Sequence, residues 1–167
     1  MPELQEFGGQ SRFYLEDLAV GRRFTSATHV IVAAQIKAFA GQFDPQPFHL
    51  DEETAKGTLF AGLAASGNPL STRRRMVMAA VCQPLAGGII GAGGEVSWPR
   101  PTRPGDVLRV VSEIEQVTPS RSRADRGTVR VRGETRNQRD EVVQVLIANL
   151  IVPRRATSDV RGELAAG

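Results

Sequence analysis

Residues 107–137 read VLRVVSEIEQVTPSRSRADRGTVRVRGETRN, and their pattern decides the fold. Val107, Arg109, Val111, Glu113 and Glu115 alternate with Leu108, Val110 and Ile114. After the turn-rich stretch TPSRSRADRG, Val129, Val131 and Gly133 alternate with Arg130, Arg132 and Glu134. A period of two sends successive side chains to opposite faces of a strand. Charged and apolar residues in alternation are the signature of antiparallel strands with one face buried. The intervening Ser, Arg, Asp and Gly cluster supplies the turn.

Outward from this pair, 89–98 and 142–152 are two further strand-like runs, set off by RPTRPGD and NQRDE. The four runs read as a meander. Upstream, residues 23–32 are rich in Thr and Val and form one more strand. Residues 14–21 make a short turn before it. Ile36, Phe39, Ala40 and Phe43 fall at helical spacing, which predicts a helix over 33–43. Residues 51–56 make a short helix closed by Gly57. Residues 59–67, LFAGLAASG, are apolar and small. A long helix fits 68–84, with Pro69 in its first turn and an apolar stripe of Val77, Ala80 and Val81. The class is α+β, with helices on one face of an antiparallel sheet wrapped around the long helix. One domain spans 13–155; 1–12 is a flexible segment and 156–167 a disordered tail.

Bulk composition narrows the function. At 167 residues, with 41% hydrophobic and 23% charged residues, the chain is an ordinary globular domain. The net charge is +3, and arginine dominates the basic residues, Lys37 and Lys56 being the only lysines. The arginines are scattered and aromatics are 5% of the chain, so no dense basic and aromatic stripe marks a nucleic-acid surface. Cys82 is the only cysteine, which excludes an intrachain disulfide and disfavours a thiolate metal site. No apolar run has the length of a membrane span, so no membrane partner is expected, and a cytoplasmic location is the default.

Residues 43–51, FDPQPFHLD, carry the candidate chemistry. Asp44 and His49 stand five positions apart with two prolines between them. Proline fixes φ and restricts the residue before it, which predicts a short, stiff, extended connector. Such a connector can hold one carboxylate near one imidazole for proton transfer. It can equally be a Pro-rich turn ahead of a helix capped by Asp51. Both readings stand on these residues alone. His29 reads as a structural strand histidine, and Trp98 as core or interface packing.

Several strings resemble the MaoC-like dehydratases, or (R)-specific enoyl-CoA hydratases, over residues 14–155. Asp44, Pro47, His49 and Asp51, followed by Ala65-Ser66-Gly67, match the hydratase motif. RPTRPGDVL, SRSRADRG and TRNQRDEVV are similar to later segments of the family. The resemblance implies a hot-dog fold, a sheet curled around a long helix. It implies water addition to, or removal from, an enoyl-CoA thioester, with no cofactor beyond the coenzyme A of the substrate and no metal.

By this resemblance Asp44 and His49 are the catalytic pair, holding a water between them, and the N–H of Gly67 stabilises the thioester enolate. A helix N-terminus offers free N–H groups, and glycine admits close approach. Ser66, Arg121 and Arg123 are candidate contacts for the coenzyme A thioester; a solvated loop is the other reading of Arg121, Arg123 and Arg126. The family also implies a homodimer, and an open sheet edge argues the same.

Two departures stand out. Gln46 replaces the more common Asn, and Arg73-Arg74-Arg75 span about 200° of the helix surface at 3.6 residues per turn. If one of them faces the acyl tunnel, a short or polar acyl group is expected. A hot-dog thioesterase and a non-catalytic acyl-thioester-binding subunit are the alternative functions.

Overall fold

The computed structural model describes residues 12–66 and 85–156. Among them β1 is Arg23–Thr25, β2 His29–Val30, β3 Ile90–Ser97, β4 Val107–Pro119, β5 Arg126–Arg136 and β6 Val142–Pro153. These form one sheet in the order β1-β4-β5-β6-β3, with β2 also paired to β4. Each of these pairings is antiparallel. The helices are α1, Ala33–Phe43, α2, Pro47–Leu50, and α3, Glu52–Lys56. A single 3-10 turn, Leu15–Asp17, precedes β1.

The alternation read from 107–137 holds in three dimensions. Leu108, Val110, Ser112 and Ile114 of β4 are buried, as are Val129 and Val131 of β5. Leu15, Leu18 and Leu85 pack with Ile114, Val129, Val131, Leu150 and Val152. Nearer the start of β4, Ile36 of α1 and Leu63 pack with Ile31, Leu108, Val110 and Val143. Each fully buried side chain of this size stabilises the fold by about 1.5–3 kcal/mol. This second cluster docks α1 and the segment after α3 onto the sheet where β4 begins.

The scattered arginines converge on the opposite face. Arg23 meets Glu113 at 2.6 Å, Arg130 meets Glu115 at 3.1 Å, and Glu134 lies between Arg132 and Arg136 at 3.0 and 2.5 Å. Half-exposed pairs like these contribute about 0–1 kcal/mol each.

Three expectations are corrected. The strand expected over 23–32 is two short strands. Ser26 interrupts it: its Oγ accepts the Val110 N–H at 2.9 Å, so a side chain takes a ladder position. The four later strands are not a simple meander. β4, β5 and β6 run as consecutive hairpins, but β3 lies beyond β6 and not beside β4. The connector at 43–51 is extended only as far as Gln46 (φ −79°, ψ 140°), after which α2 makes one helical turn. Pro47 occupies its first position, where a missing N–H costs nothing and a fixed φ suits the helix.

The helix expected at 68–84, with Gly67 and Arg73-Arg74-Arg75, lies outside the described residues. So do the terminal segments 1–12 and 156–167, except Arg12 and Ala156.

Candidate active site

The site begins where α1 stops. Asp44 caps it, donating its N–H to Ala40 O at 2.9 Å. Pro45 follows, and the residue before a proline avoids helical backbone, so the helix ends there. The chain then turns through α2, held by the N–H of His49 on Gln46 O at 2.9 Å. The turn brings the His49 ring back toward the Asp44 carboxylate. His49 is buried, at 5% exposure, whereas the Asp44 side chain is 34% exposed.

Two contacts from the segment after α3 set the protonation pattern. His49 Nδ1 lies 2.7 Å from Ala64 O. A carbonyl only accepts, so Nδ1 carries the proton and donates it. In the neutral ring Nε2 then keeps its lone pair, 3.5 Å from Asp44 Oδ2. That same oxygen accepts a 2.6 Å hydrogen bond from Ser66 Oγ. At 3.5 Å, one water oxygen can lie within about 2.8 Å of both Nε2 and Oδ2. A water there donates to the carboxylate or the imidazole, and both groups can take its proton.

Aromatic rings wall the imidazole. Phe48 stands edge-on with its centroid 4.5 Å away, and Phe60 lies at 6.1 Å. Phe48 and Phe60 also pack on each other, at 5.0 Å. These rings keep bulk solvent from that side of the imidazole.

The structure brings Asp44, His49 and Ser66 together. It places Ser66 on the Asp44 carboxylate, a partner the motif by itself did not reveal. It does not bring Arg121 and Arg123 there. They are exposed in the β4–β5 turn, whereas the site adjoins the start of β4. The 13 residues of β4, at roughly 3.3 Å each, separate the two ends by about 40 Å. Arg126 pairs with Asp125 at 2.8 Å.

Asp51 caps α3, its Oδ1 accepting the Thr54 N–H at 2.7 Å and the Thr54 hydroxyl at 2.6 Å. These bonds, the Thr54 hydroxyl first, hold its carboxyl below the usual range. His29 lies on β2 with Nε2 buried and unpartnered among the described residues. Trp98 follows β3 and is 48% exposed. No group of three His, Cys, Asp or Glu among the described residues is arranged to hold a metal. No described helix is long and apolar enough to cross a membrane.

Sequence reasoning missed two parts of this site. The Ala64 carbonyl that orients His49 is backbone, and residue types do not announce it. Arg103, in the RPTRPGD segment, reaches the loop of residues 60–63; that segment was legible as a turn and as a family-like string, but its hold on the loop was not.

A family model described as "MaoC like domain" matches residues 18–137. The crystal structure of the MaoC-like dehydratase from Rhodospirillum rubrum is similar at 57% identity and a TM-score of 0.80, covering 86% of this chain and 99% of that one. The R-hydratase PhaJ1 from Pseudomonas aeruginosa is similar at 26% identity and a TM-score of 0.67, covering 86% of this chain and 88% of that one. Uncharacterized protein YdeM of Bacillus subtilis is 30% identical over 129 residues, which are 75% of this chain and 89% of YdeM. The family model spans well over half of the chain and the Rhodospirillum structure matches its fold nearly end to end, so this chain belongs to the MaoC-like family and has the hot-dog fold.

Proposed function

We propose that this protein is an enoyl-CoA hydratase, or 3-hydroxyacyl dehydratase in the reverse direction. The observation that carries the reading is the arrangement around Asp44 Oδ2. A serine hydroxyl donates to it at 2.6 Å, and the unprotonated nitrogen of a buried imidazole stands 3.5 Å away. The hydratase and dehydratase names of the Pseudomonas and Rhodospirillum proteins support the same class.

The chemistry follows from that arrangement. A water held between Asp44 and His49 loses a proton to the pair as its oxygen bonds to C3. The C2=C3 electrons move toward the thioester carbonyl, whose oxygen becomes an enolate. The pair then returns the proton to C2 as the carbonyl re-forms. Water has been added, and Asp44 and His49 end as they began. Ser66 holds the carboxylate, and Ala64 O holds the ring with Nε2 facing the water. The reading assigns the enolate oxygen to the N–H of Gly67; a donor of this kind contributes about 2.7–4 kcal/mol to the transition state. The substrate brings its own coenzyme A or acyl carrier, and no other cofactor takes part.

The reading also includes a homodimer. β3 ends the sheet in the described residues and is exposed along its length, Ile90 and Val96 included, and the exposed Trp98 follows it. An exposed apolar edge invites a second copy. We place the enzyme in the cytoplasm, where acyl thioesters of this kind are substrates.

Crotonyl-CoA tests the function. Loss of its enoyl-thioester absorbance on adding the protein supports hydration. Asp44→Asn and His49→Ala are expected to abolish that loss while remaining folded; turnover retained in both would sink the site. Release of free thiol would make the protein a thioesterase, and binding without turnover a thioester-binding subunit.

A further inference from the structure

Arg103 grips the loop against which His49 leans. Its Nη1 donates to Gly62 O at 2.9 Å and to Leu63 O at 3.3 Å, and its Nη2 donates to Phe60 O. The loop is irregular there. Ala61 has a φ of 51° and Gly62 a φ of 153°, so the backbone departs from regular structure and its carbonyls have no ladder to join. Gly62 also makes room, since a Cβ at that position would lie 3.3 Å from Arg103 Nη1. The carbonyl after the gripped ones is Ala64 O, which takes the His49 Nδ1 proton. The N–H that follows, of Ala65, donates at 2.9 Å to Thr102 O, the residue before Arg103. Ser66 comes next and donates to Asp44.

The grip is itself anchored. Arg103 N–H donates to Asp106 Oδ2 at 2.8 Å, and Gln138 Nε2 donates to Asp106 Oδ1 at 3.2 Å. Asp106 is buried, and Gln138 lies between β5 and β6. The start of β4 and the β5–β6 turn are therefore linked through Asp106 and Arg103 to the loop that supplies both partners of the catalytic pair.

We propose that Arg103 is a positioning residue for the Asp44–His49 pair. It fixes where Ala64 O and Ser66 Oγ stand, and so which nitrogen of His49 carries the proton. A guanidinium suits the task because its planar fork meets several carbonyls at fixed angles; a lysine ammonium is a single point charge on a flexible stem. The proposal rests on the hydratase reading of the pair, but its first readout does not.

The experiment records imidazole 15N shifts of His49 in the full-length protein, without substrate, alongside crotonyl-CoA kinetics and thermal midpoints. The wild type is expected to show Nδ1 protonated and Nε2 bare. Arg103→Ala and Arg103→Lys are expected to fold, to show mixed tautomers, and to lose about 10²-fold in kcat with little change in KM, the scale of a 1 Å misplacement. Millimolar guanidinium is expected to restore part of the Arg103→Ala loss. Folded variants that keep the Nδ1–H form, or keep wild-type kcat, overturn the proposal. Failure of both variants to fold overturns it too, since Arg103 would then serve the fold and not the site. If the wild type hydrates no enoyl thioester, the hydratase reading fails, and the imidazole shifts alone decide on Arg103.

Discussion

Ser66 Oγ donates to Asp44 Oδ2 at 2.6 Å, and that one oxygen is also the carboxylate atom 3.5 Å from His49 Nε2. The two residues are 22 positions apart and come from opposite sides of α2 and α3. Their contact gives Oδ2 a fixed donor on one side while the imidazole stands on another.

Removing that donor is expected to cost both activity and stability. A hydrogen bond to a charged group contributes about 1.5–3 kcal/mol to the folded state. If the transition state loses as much, Ser66→Ala is expected to lower kcat on crotonyl-CoA by about 10- to 10²-fold. Unchanged kcat would detach Ser66 from the reaction.

Asp44 and His49 are expected to act as one unit. Residues that share a single proton-transfer step are strongly non-additive when removed together. Where a trace of turnover survives in the single variants, the Asp44→Asn, His49→Ala double variant is expected to be no slower than the slower of them. Independent, multiplying losses in steady-state kinetics would show that the two do not share a water.

The outer face of the sheet is expected to weaken in acid. Arg136, hydrogen-bonded to Glu134, holds that carboxyl below its ordinary value of 4.5, against an opposing push from burial and with help from Arg132. A carboxylate depressed in the folded state stabilises the fold above the unfolded value. That stability is lost as pH falls through the folded value. The thermal midpoint is thus expected to drop as pH falls below 4.5, and Glu134→Gln to make the drop shallower. An equally steep drop in the variant would locate the acid sensitivity elsewhere.

Asp51 is expected to matter for the fold and not for turnover. It caps α3 through Thr54 and touches neither the carboxylate nor the imidazole of the site. Loss of such a cap costs about 0.5–2 kcal/mol. Asp51→Ala is expected to lower the denaturant midpoint while kcat stays at the wild-type level. A large loss of kcat would bring Asp51 into the chemistry.

Substrate length is expected to be limited. With three arginines at 73–75 beside the motif in sequence, crotonyl-CoA is expected to turn over faster than long-chain enoyl thioesters. A series of increasing acyl length in which the longest is best would contradict this.

Much of the fold was legible because its signals are local. The period of two in 107–137 reappears as alternating burial along β4 and β5. The spacing of Ile36 and Ala40 marks the buried face of α1, whose bounds match the expected 33–43. Asp51 capping α3 follows from residue type and position. The place of β3 was not legible, because its own run of residues says only that it is a strand. Nor was the break at Ser26, where a hydroxyl replaces a ladder bond with β4, 84 residues away. For the site, the motif supplied Asp44 and His49, but not the geometry that relates them.

The sequence by itself determined the strands downstream of residue 89, the helices at 33–43 and 51–56, the acid and imidazole of residues 43–51, and through its motifs the family. Those depend on side-chain periodicity, turn chemistry and residue identity within short windows. Only the tertiary structure decided the order of strands, the one-turn helix that swings His49 toward Asp44, and the state of the imidazole. That last choice depends on a backbone carbonyl at Ala64 and on the arginine that holds its loop. A backbone carbonyl is the same at every residue, so where it points is set by the folded chain and cannot be read from the letters.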